Sequence, residues 1–81
     1  MRQLSKTLTK YFEDLHQAEF VDENPREVIK LLKRAQTWKT HTRLHEVCVY
    51  LGAETDERTA TIEGCKEIIQ EDIDYNRGLI E

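Results

Sequence analysis

Apolar side chains recur at helical spacing in four stretches of the chain, and each stretch predicts a helix. The first covers residues 5–19, where apolar positions repeat at intervals of three and four and therefore share one side of a helix. Ser5 supplies a hydroxyl that can cap its N-terminus. We expect the apolar stripe to form part of the core. It consists of Leu4, Leu8, Tyr11, Phe12, Leu15 and Ala18.

A second helix is predicted to begin at Pro25, because proline is tolerated at the first helical position, where its missing N–H would have no partner. Asn24 can cap this helix, and Glu27 places an acid in its first turn. Three basic residues lie opposite the apolar side, so the helix is predicted to be amphipathic with a basic face. The apolar side consists of Val28, Ile29, Leu31, Leu32 and Ala35.

The third stretch allows two interpretations. Residues 36–42 contain three threonines, which disfavour a helix interior, so a break is expected there. From about residue 40 to residue 51 the helical spacing returns, and Gly52 follows where a glycine commonly ends a helix. The same stretch is rich in β-formers, so a strand over residues 45–51 is the alternative. We favour the helix, because the chain offers no second strand to pair with.

The last helix is predicted to begin at Thr55 or Asp56, either of which can cap it, and to end near Arg77. Gly78 then occupies the position of a terminating glycine, and the two apolar residues after it are expected to fold back as a tail. The acids on the outer side of this helix are expected to form a solvated face. They include Glu67, Glu71, Asp72 and Asp74. The inner stripe consists of Ile62, Cys65, Ile68, Ile69, Ile73 and Asn76.

Gly64 lies inside the predicted last helix, where glycine costs about 1 kcal/mol relative to alanine and often marks the close approach of another backbone. Cys65 and Cys48 occupy the apolar stripes of the last two helices, so we expect them to face each other as buried, unreactive thiols. Gly64 would then let the third helix approach the last helix closely beside Cys65. Two cysteines are too few for the disulfide framework of a small secreted protein, which favours reduced thiols. The first ten residues, MRQLSKTLTK, lack the apolar core of a signal peptide, so we expect a cytoplasmic location.

Composition supports a small helical protein. The chain has 81 residues, of which 38% are hydrophobic and 35% charged, with three glycines and one proline. We therefore predict one all-α domain over residues 1–81, an antiparallel bundle of three to four helices with the last helix against the first. The core of such a small bundle is thin, so a homodimer is expected. No stretch approaches the roughly 18 apolar residues of a membrane span, so we expect no membrane association.

Charge is distributed unevenly along the chain. Residues 1–45 contain nine Lys or Arg and six Asp or Glu (net +3), whereas residues 46–81 contain three and ten (net −7). The two halves attract each other and can pair head to tail between subunits. Residues 26–43, which we call the basic segment, form the clearest candidate surface for binding an anion. His41 in this segment is also available for stacking. Its candidate contact residues are Arg26, Lys30, Lys33, Arg34, Trp38, Lys39 and Arg43.

Three potential zinc ligands fall on one flank of the third helix. His41, His45 and Cys48 are spaced i, i+4, i+7, which confines them to roughly 60° of the helix surface. A fourth ligand would have to be Cys65 or His16. Structural zinc sites usually have two close pairs of ligands, and the second pair is missing here. We therefore favour a core cysteine beside two partly exposed histidines, with no metal or other cofactor.

No catalytic constellation is recognisable, so we expect the protein not to be an enzyme. The zinc-protease motif HExxH fails at Val49, and the glycines are too far apart for a phosphate-binding loop. His45 and Cys48 lack the orienting group and oxyanion site that a nucleophilic pair needs.

These observations favour a non-catalytic interaction protein, that is, an adaptor, inhibitor or small regulatory subunit that binds another protein stoichiometrically. Small acidic helical chains are common among phage and plasmid accessory proteins, an association of composition only. The alternative is binding of nucleic acid or a phosphorylated ligand through the basic segment, since phosphate contacts need only suitably spaced positive charge. The net charge of −4 weighs against this alternative.

Overall fold

The computed structural model describes residues 5–53 and 57–81, and within these ranges the protein is a bundle of α-helices with no strand. The predicted all-α fold is therefore confirmed, and the strand alternative for residues 45–51 is wrong. A π-helical turn, Gln17–Val21, continues the first helix. The helices are α1 (Lys6–His16), α2 (Pro25–Ala35), α3 (His41–Tyr50) and α4 (Ile62–Ile80).

The first two helices begin at the predicted caps. The Leu8 N–H donates to Ser5 Oγ at 3.1 Å, and the Glu27 N–H donates to Asn24 Oδ1 at 3.2 Å. Each cap satisfies an amide that has no partner within its helix. The break predicted after Ala35 is also present, because residues 36–40 are not helical.

The third helix ends in a Schellman motif built on Gly52. This glycine has φ +87°, in the left-handed region that glycine adopts without a Cβ penalty. Its N–H donates to the carbonyl of Val49 at 3.0 Å, and the N–H of Ala53 donates to that of Cys48 at 3.0 Å. These two bonds satisfy carbonyls that the helix leaves without partners, as expected for a glycine just beyond a helix end.

The last helix begins later than predicted. Its first residue is Ile62, and Thr61 Oγ1 accepts the Gly64 N–H at 2.9 Å as the N-cap. The predicted caps, Thr55 and Asp56, lie outside the described residues. The helix begins only after residues 57–60, which form turns.

The end of α4 also differs from the prediction. The helix passes through Gly78 and reaches Ile80, and the Glu81 N–H still donates to the carbonyl of Arg77 at 3.2 Å. Gly78 does not adopt a positive φ, so it does not terminate the helix. Leu79 is consequently held on an exposed helical surface and does not fold back.

The core lies where α4 packs against α2 and α3. The predicted pairing of the last helix with the first is wrong, because α2 and α3 together cover the apolar stripe of α4. Tyr11 joins α1 to α2, since its buried hydroxyl donates to the carbonyl of Leu31 at 2.9 Å. The predicted stripes supply the core cluster: Tyr11, Leu15, Ala18, Val28, Leu31, Leu32, Ala35, Leu44, Val47, Cys48, Cys65, Ile69 and Ile73.

Gly64 marks a close backbone approach, as predicted, but the neighbouring backbone is not the third helix. A Cβ at this position would lie 1.8 Å from the carbonyl oxygen of Arg58. The segment that precedes α4 therefore lies directly against its first turn, and Thr59 of that segment is buried.

No helix in the described ranges combines the length and the apolar character needed to cross a membrane.

Candidate functional site

The basic segment is exposed to solvent. Its six Lys and Arg side chains lie on the surface, and within the described part of the chain none of them is ion-paired. Four of them lie on α2 at the spacing of one helix face. The six cations are Arg26, Lys30, Lys33, Arg34, Lys39 and Arg43.

Trp38 is less available for stacking than its sequence position indicates. It is half-buried against the core, with its ring edge-on to Tyr11 at a centroid distance of 4.8 Å. The guanidinium of Arg43 lies 6.0 Å from the Trp38 ring centroid, and that of Arg34 lies 5.2 Å from the Tyr11 ring centroid. The aromatic residues therefore already contact two of the cations.

Three of the five candidate zinc ligands, His41, Cys48 and Cys65, make hydrogen bonds to backbone carbonyls. His41 Nε2 lies 2.7 Å from the carbonyl oxygen of Thr59, so this nitrogen carries the proton. The ring of His45 lies 5.7 Å from that of His41, between centroids. In the described ranges, no three His, Cys, Asp or Glu side chains are arranged to hold a metal ion. His16, the other candidate, contacts the ring of Phe20.

The two cysteines are buried and face each other, as predicted. Cys48 donates its thiol to the carbonyl of Cys65 at 3.5 Å, and Cys65 donates to the carbonyl of Thr59 at 3.4 Å. Burial, together with the neighbouring Cys65 side chain, raises the pKa of the Cys48 thiol to about 12. This thiol is therefore protonated at neutral pH and is a poor nucleophile.

A cleft of ≈ 270 Å³ opens between the π-helical turn, the start of α2 and the C-terminal half of α4. We call it the acidic cleft, because three carboxylates and, among the described residues, no basic side chain line it. Tyr75 and Leu79 stand exposed at its α4 edge. Its lining residues are Ala18, Glu19, Glu23, Asn24, Pro25, Val28, Asp72, Tyr75, Asn76 and Leu79.

The π-helical turn sets one wall of the acidic cleft. The N–H of Asp22 donates to the carbonyl of Gln17 at 2.8 Å, five residues back, which widens the helix at this point. Glu23 then adopts φ +46°, an uncommon left-handed conformation for a residue other than glycine. The chain is thereby redirected into the cap of α2, leaving Glu19 opposite α4.

Two of the three carboxyl groups in the acidic cleft, those of Glu19 and Asp72, are partly desolvated. Burial raises the pKa of Glu19, the nearby charge of Asp72 raises it further, and His16 opposes both. Burial also raises the pKa of Asp72. Within the described ranges, Glu19 Oε2 is buried without a hydrogen-bond partner. The acidic cleft thus offers an acceptor that lacks a donor.

Asp72 corrects one prediction from the sequence. The sequence pattern predicts that it belongs to the solvated acidic face, but it is half-buried, and Asn76 Nδ2 donates to its backbone carbonyl at 2.8 Å. The sequence does contain a signal for this position, because Asp72 lies at i+3 from Ile69 and at i−4 from Asn76, both on the buried stripe. Glu67, Glu71 and Asp74 are exposed, as predicted.

No protein-family model matches the chain, and neither characterised proteins nor solved structures show a significant similarity to it.

Proposed function

We propose that the chain is a non-catalytic interaction protein that binds another protein stoichiometrically at the acidic cleft. The observation that carries this proposal is the placement of exposed apolar side chains. Five large ones are strongly exposed in the described ranges, and four of them belong to two of the three elements that border the acidic cleft, where Tyr75 and Leu79 line the cleft itself. These four are Phe20 (63% exposed), Val21 (60%), Tyr75 (66%) and Leu79 (57%).

Apolar side chains beside a preformed concavity resemble the core of a protein interface. Tyrosine in particular is frequent among the residues that dominate binding free energy, because it buries a large rigid ring at low entropic cost. The volume of ≈ 270 Å³ lies below the range of about 300–1,000 Å³ typical of drug-sized ligand pockets. Docking of a protein side chain suits this size better than enclosure of a substrate.

Replacement of the exposed apolar side chains at the α4 edge of the acidic cleft tests the proposal. A Tyr75→Ser, Leu79→Ser double variant should no longer retain a partner in affinity capture from the native host, because the exposed apolar contact area is lost. The matched control is Val49→Ser, which removes an exposed apolar side chain (48%) from α3, away from the acidic cleft.

We expect wild type and Val49→Ser to retain one protein partner at a one-to-one ratio, with circular dichroism unchanged in both variants. A partner retained equally by the double variant would contradict the proposed site.

A second candidate function is binding of nucleic acid or a phosphorylated ligand by the basic segment. It is supported by the exposure of all six cations and by their lack of ion pairs in the described ranges. A Lys33→Glu, Arg34→Glu variant should lose binding in a low-salt gel-shift assay, since both residues are exposed on α2. Lys6→Glu, Lys10→Glu makes the same change in net charge on α1, and should bind as wild type does. Equal binding by the two variants would exclude the basic segment as the contact surface.

A further inference from the structure

We propose that the acidic cleft receives a lysine or arginine side chain of the partner protein, so that the docking segment of the partner is basic with apolar residues on either side. This inference rests on the proposed function and specifies the chemistry of the partner at the same site.

The first argument is the uncompensated charge of the acidic cleft. Glu19 and Glu23 approach from the π-helical turn and its exit, and Asp72 approaches from α4, while none of the lining residues in the described part of the chain is basic. Glu19 and Asp72 lie close enough for each charge to disfavour the other. A cation between them would relieve this repulsion, and complementary charge of this kind determines which partners an interface accepts.

The second argument is the unmet hydrogen-bonding capacity of one of these carboxylates. Glu19 Oε2 is buried and has no donor within the described ranges. An ammonium or guanidinium group supplies several N–H donors, whereas an acidic or purely apolar side chain supplies none. Hydrogen bonds between such a cation and a carboxylate are stronger than neutral ones.

The third argument is the apolar surroundings of the charged groups. Tyr75 and Leu79 stand at the α4 edge, and Pro25 and Val28 form part of the opposite wall. Apolar residues next to the cation of the partner would be buried here, and the Tyr75 ring offers the kind of surface on which a guanidinium stacks. A free metal cation is a poorer match, because it would not use the apolar edge.

Binding of a cation at this site must depend on pH. The carboxyl groups of Glu19 and Asp72 bind protons more readily than ordinary carboxyls, because burial raises the pKa of each. A cation competes with those protons, so affinity should increase as pH rises through the two pKa values. Glu23 and Tyr75 also line the cleft and face the pair. The remaining titratable neighbours are His16 from α1, whose charge opposes the rise in the pKa of Glu19, and Tyr50 from α3.

A peptide-binding experiment tests the inference. The probe is a fluorescein-labelled peptide with leucines flanking lysines, compared with one in which every lysine is replaced by glutamate and one in which every leucine is replaced by serine. At neutral pH, wild-type protein should bind the leucine–lysine peptide, and a Glu19→Gln, Asp72→Asn variant should bind it about tenfold or more weakly in fluorescence anisotropy.

The control is Glu63→Gln, Glu67→Gln, which removes two exposed carboxylates from α4 outside the acidic cleft and should bind as wild type does. Wild-type affinity should increase between about pH 4.5 and about pH 7.5, and this increase should be reduced in Glu19→Gln, Asp72→Asn. Equal binding of the glutamate or serine peptide, or an unchanged affinity in Glu19→Gln, Asp72→Asn, would overturn the inference.

The outcomes also separate this inference from the proposed function. If Tyr75→Ser, Leu79→Ser loses the native partner but the protein shows no preference for the lysine peptide, the proposed binding site is supported and the inference of a basic partner segment is wrong. If the native partner binds that variant normally, the proposed function itself fails. If wild-type protein self-associates and Glu19→Gln, Asp72→Asn abolishes the association, the occupant is a second copy of this chain, which also overturns the inference.

Discussion

At Gly64, one added methyl group should strongly lower the free energy of unfolding. The carbonyl of Arg58 occupies the space that a Cβ would need, and a backbone carbonyl cannot rotate away as a side chain can. We expect Gly64→Ala to lower the free energy of unfolding by about 3 kcal/mol, at the upper end of the cost of overpacking. Urea denaturation measures this loss.

Gly78 provides the matched control on the same helix. Nothing lies within 4 Å of a Cβ built there, and its φ is that of an ordinary helical residue. Gly78→Ala should therefore stabilise the protein by up to about 1 kcal/mol, because alanine is the better helix former. Equal effects of the two substitutions would contradict the tight contact with Arg58.

Cys48 should contribute to stability and not to reactivity. Its side chain is fully buried, and its raised pKa keeps it protonated at neutral pH. Cys48→Ala should cost about 1–2 kcal/mol through a small cavity. The native protein should react with a thiol reagent only on unfolding, which absorbance of the released reagent measures. Fast reaction of the folded protein would contradict the burial of the thiol.

At the scale of elements, the junction between the π-helical turn and α4 joins two carboxyl groups that are far apart in the sequence. Both are harder to ionise in the folded protein than in the unfolded chain, because burial raises the pKa of Glu19 and of Asp72. Their contribution to stability is therefore greatest at low pH, where both states hold the proton, and it is lost as pH rises through the folded-state pKa.

Glu19→Gln should reveal this linkage. Glutamine has nearly the same shape and no charge, so the variant should unfold at a higher denaturant concentration than wild type at about pH 8, and the difference should disappear near pH 3. The control Glu67→Gln, at an exposed position on α4, should follow wild type at both pH values. A Glu19→Gln variant that is less stable at about pH 8 would show that the carboxylate has a stabilising partner.

At the scale of the whole molecule, the charge asymmetry leads to a prediction about assembly. Residues 1–45 carry net +3 and residues 46–81 carry net −7, so two copies should pair head to tail through the basic segment and the exposed acids of α4. Light scattering at micromolar concentration and low salt should detect a dimer that dissociates when salt is added.

Lys33→Glu, Arg34→Glu should abolish this dimer, whereas Glu19→Gln, Asp72→Asn should leave it intact. A monomer at every salt concentration would contradict the predicted homodimer.

Local patterns along the chain determined the elements and their inward sides. Ser5, Asn24 and Gly52 were identified correctly as helix boundaries, because capping bonds join residues only a few positions apart. The buried stripes were identified for the same reason, since helical spacing alone decides which residues share a side. The end of α4 was missed because a glycine after a basic residue predicts a stop only if it adopts a positive φ, and Gly78 does not.

Only the tertiary structure decided which helices pair and what each close approach touches. The contact between Gly64 and Arg58 and the packing of α4 on α2 depend on the path of the segments that connect the helices. Helical spacing within one element does not determine that path. The acidic cleft arises in the same way, because Glu19 and Asp72 face each other only after the π-helical turn and the packing of α4 have oriented them. Spacing along one helix relates residues three or four apart, whereas a site between helices depends on the packing of the whole core.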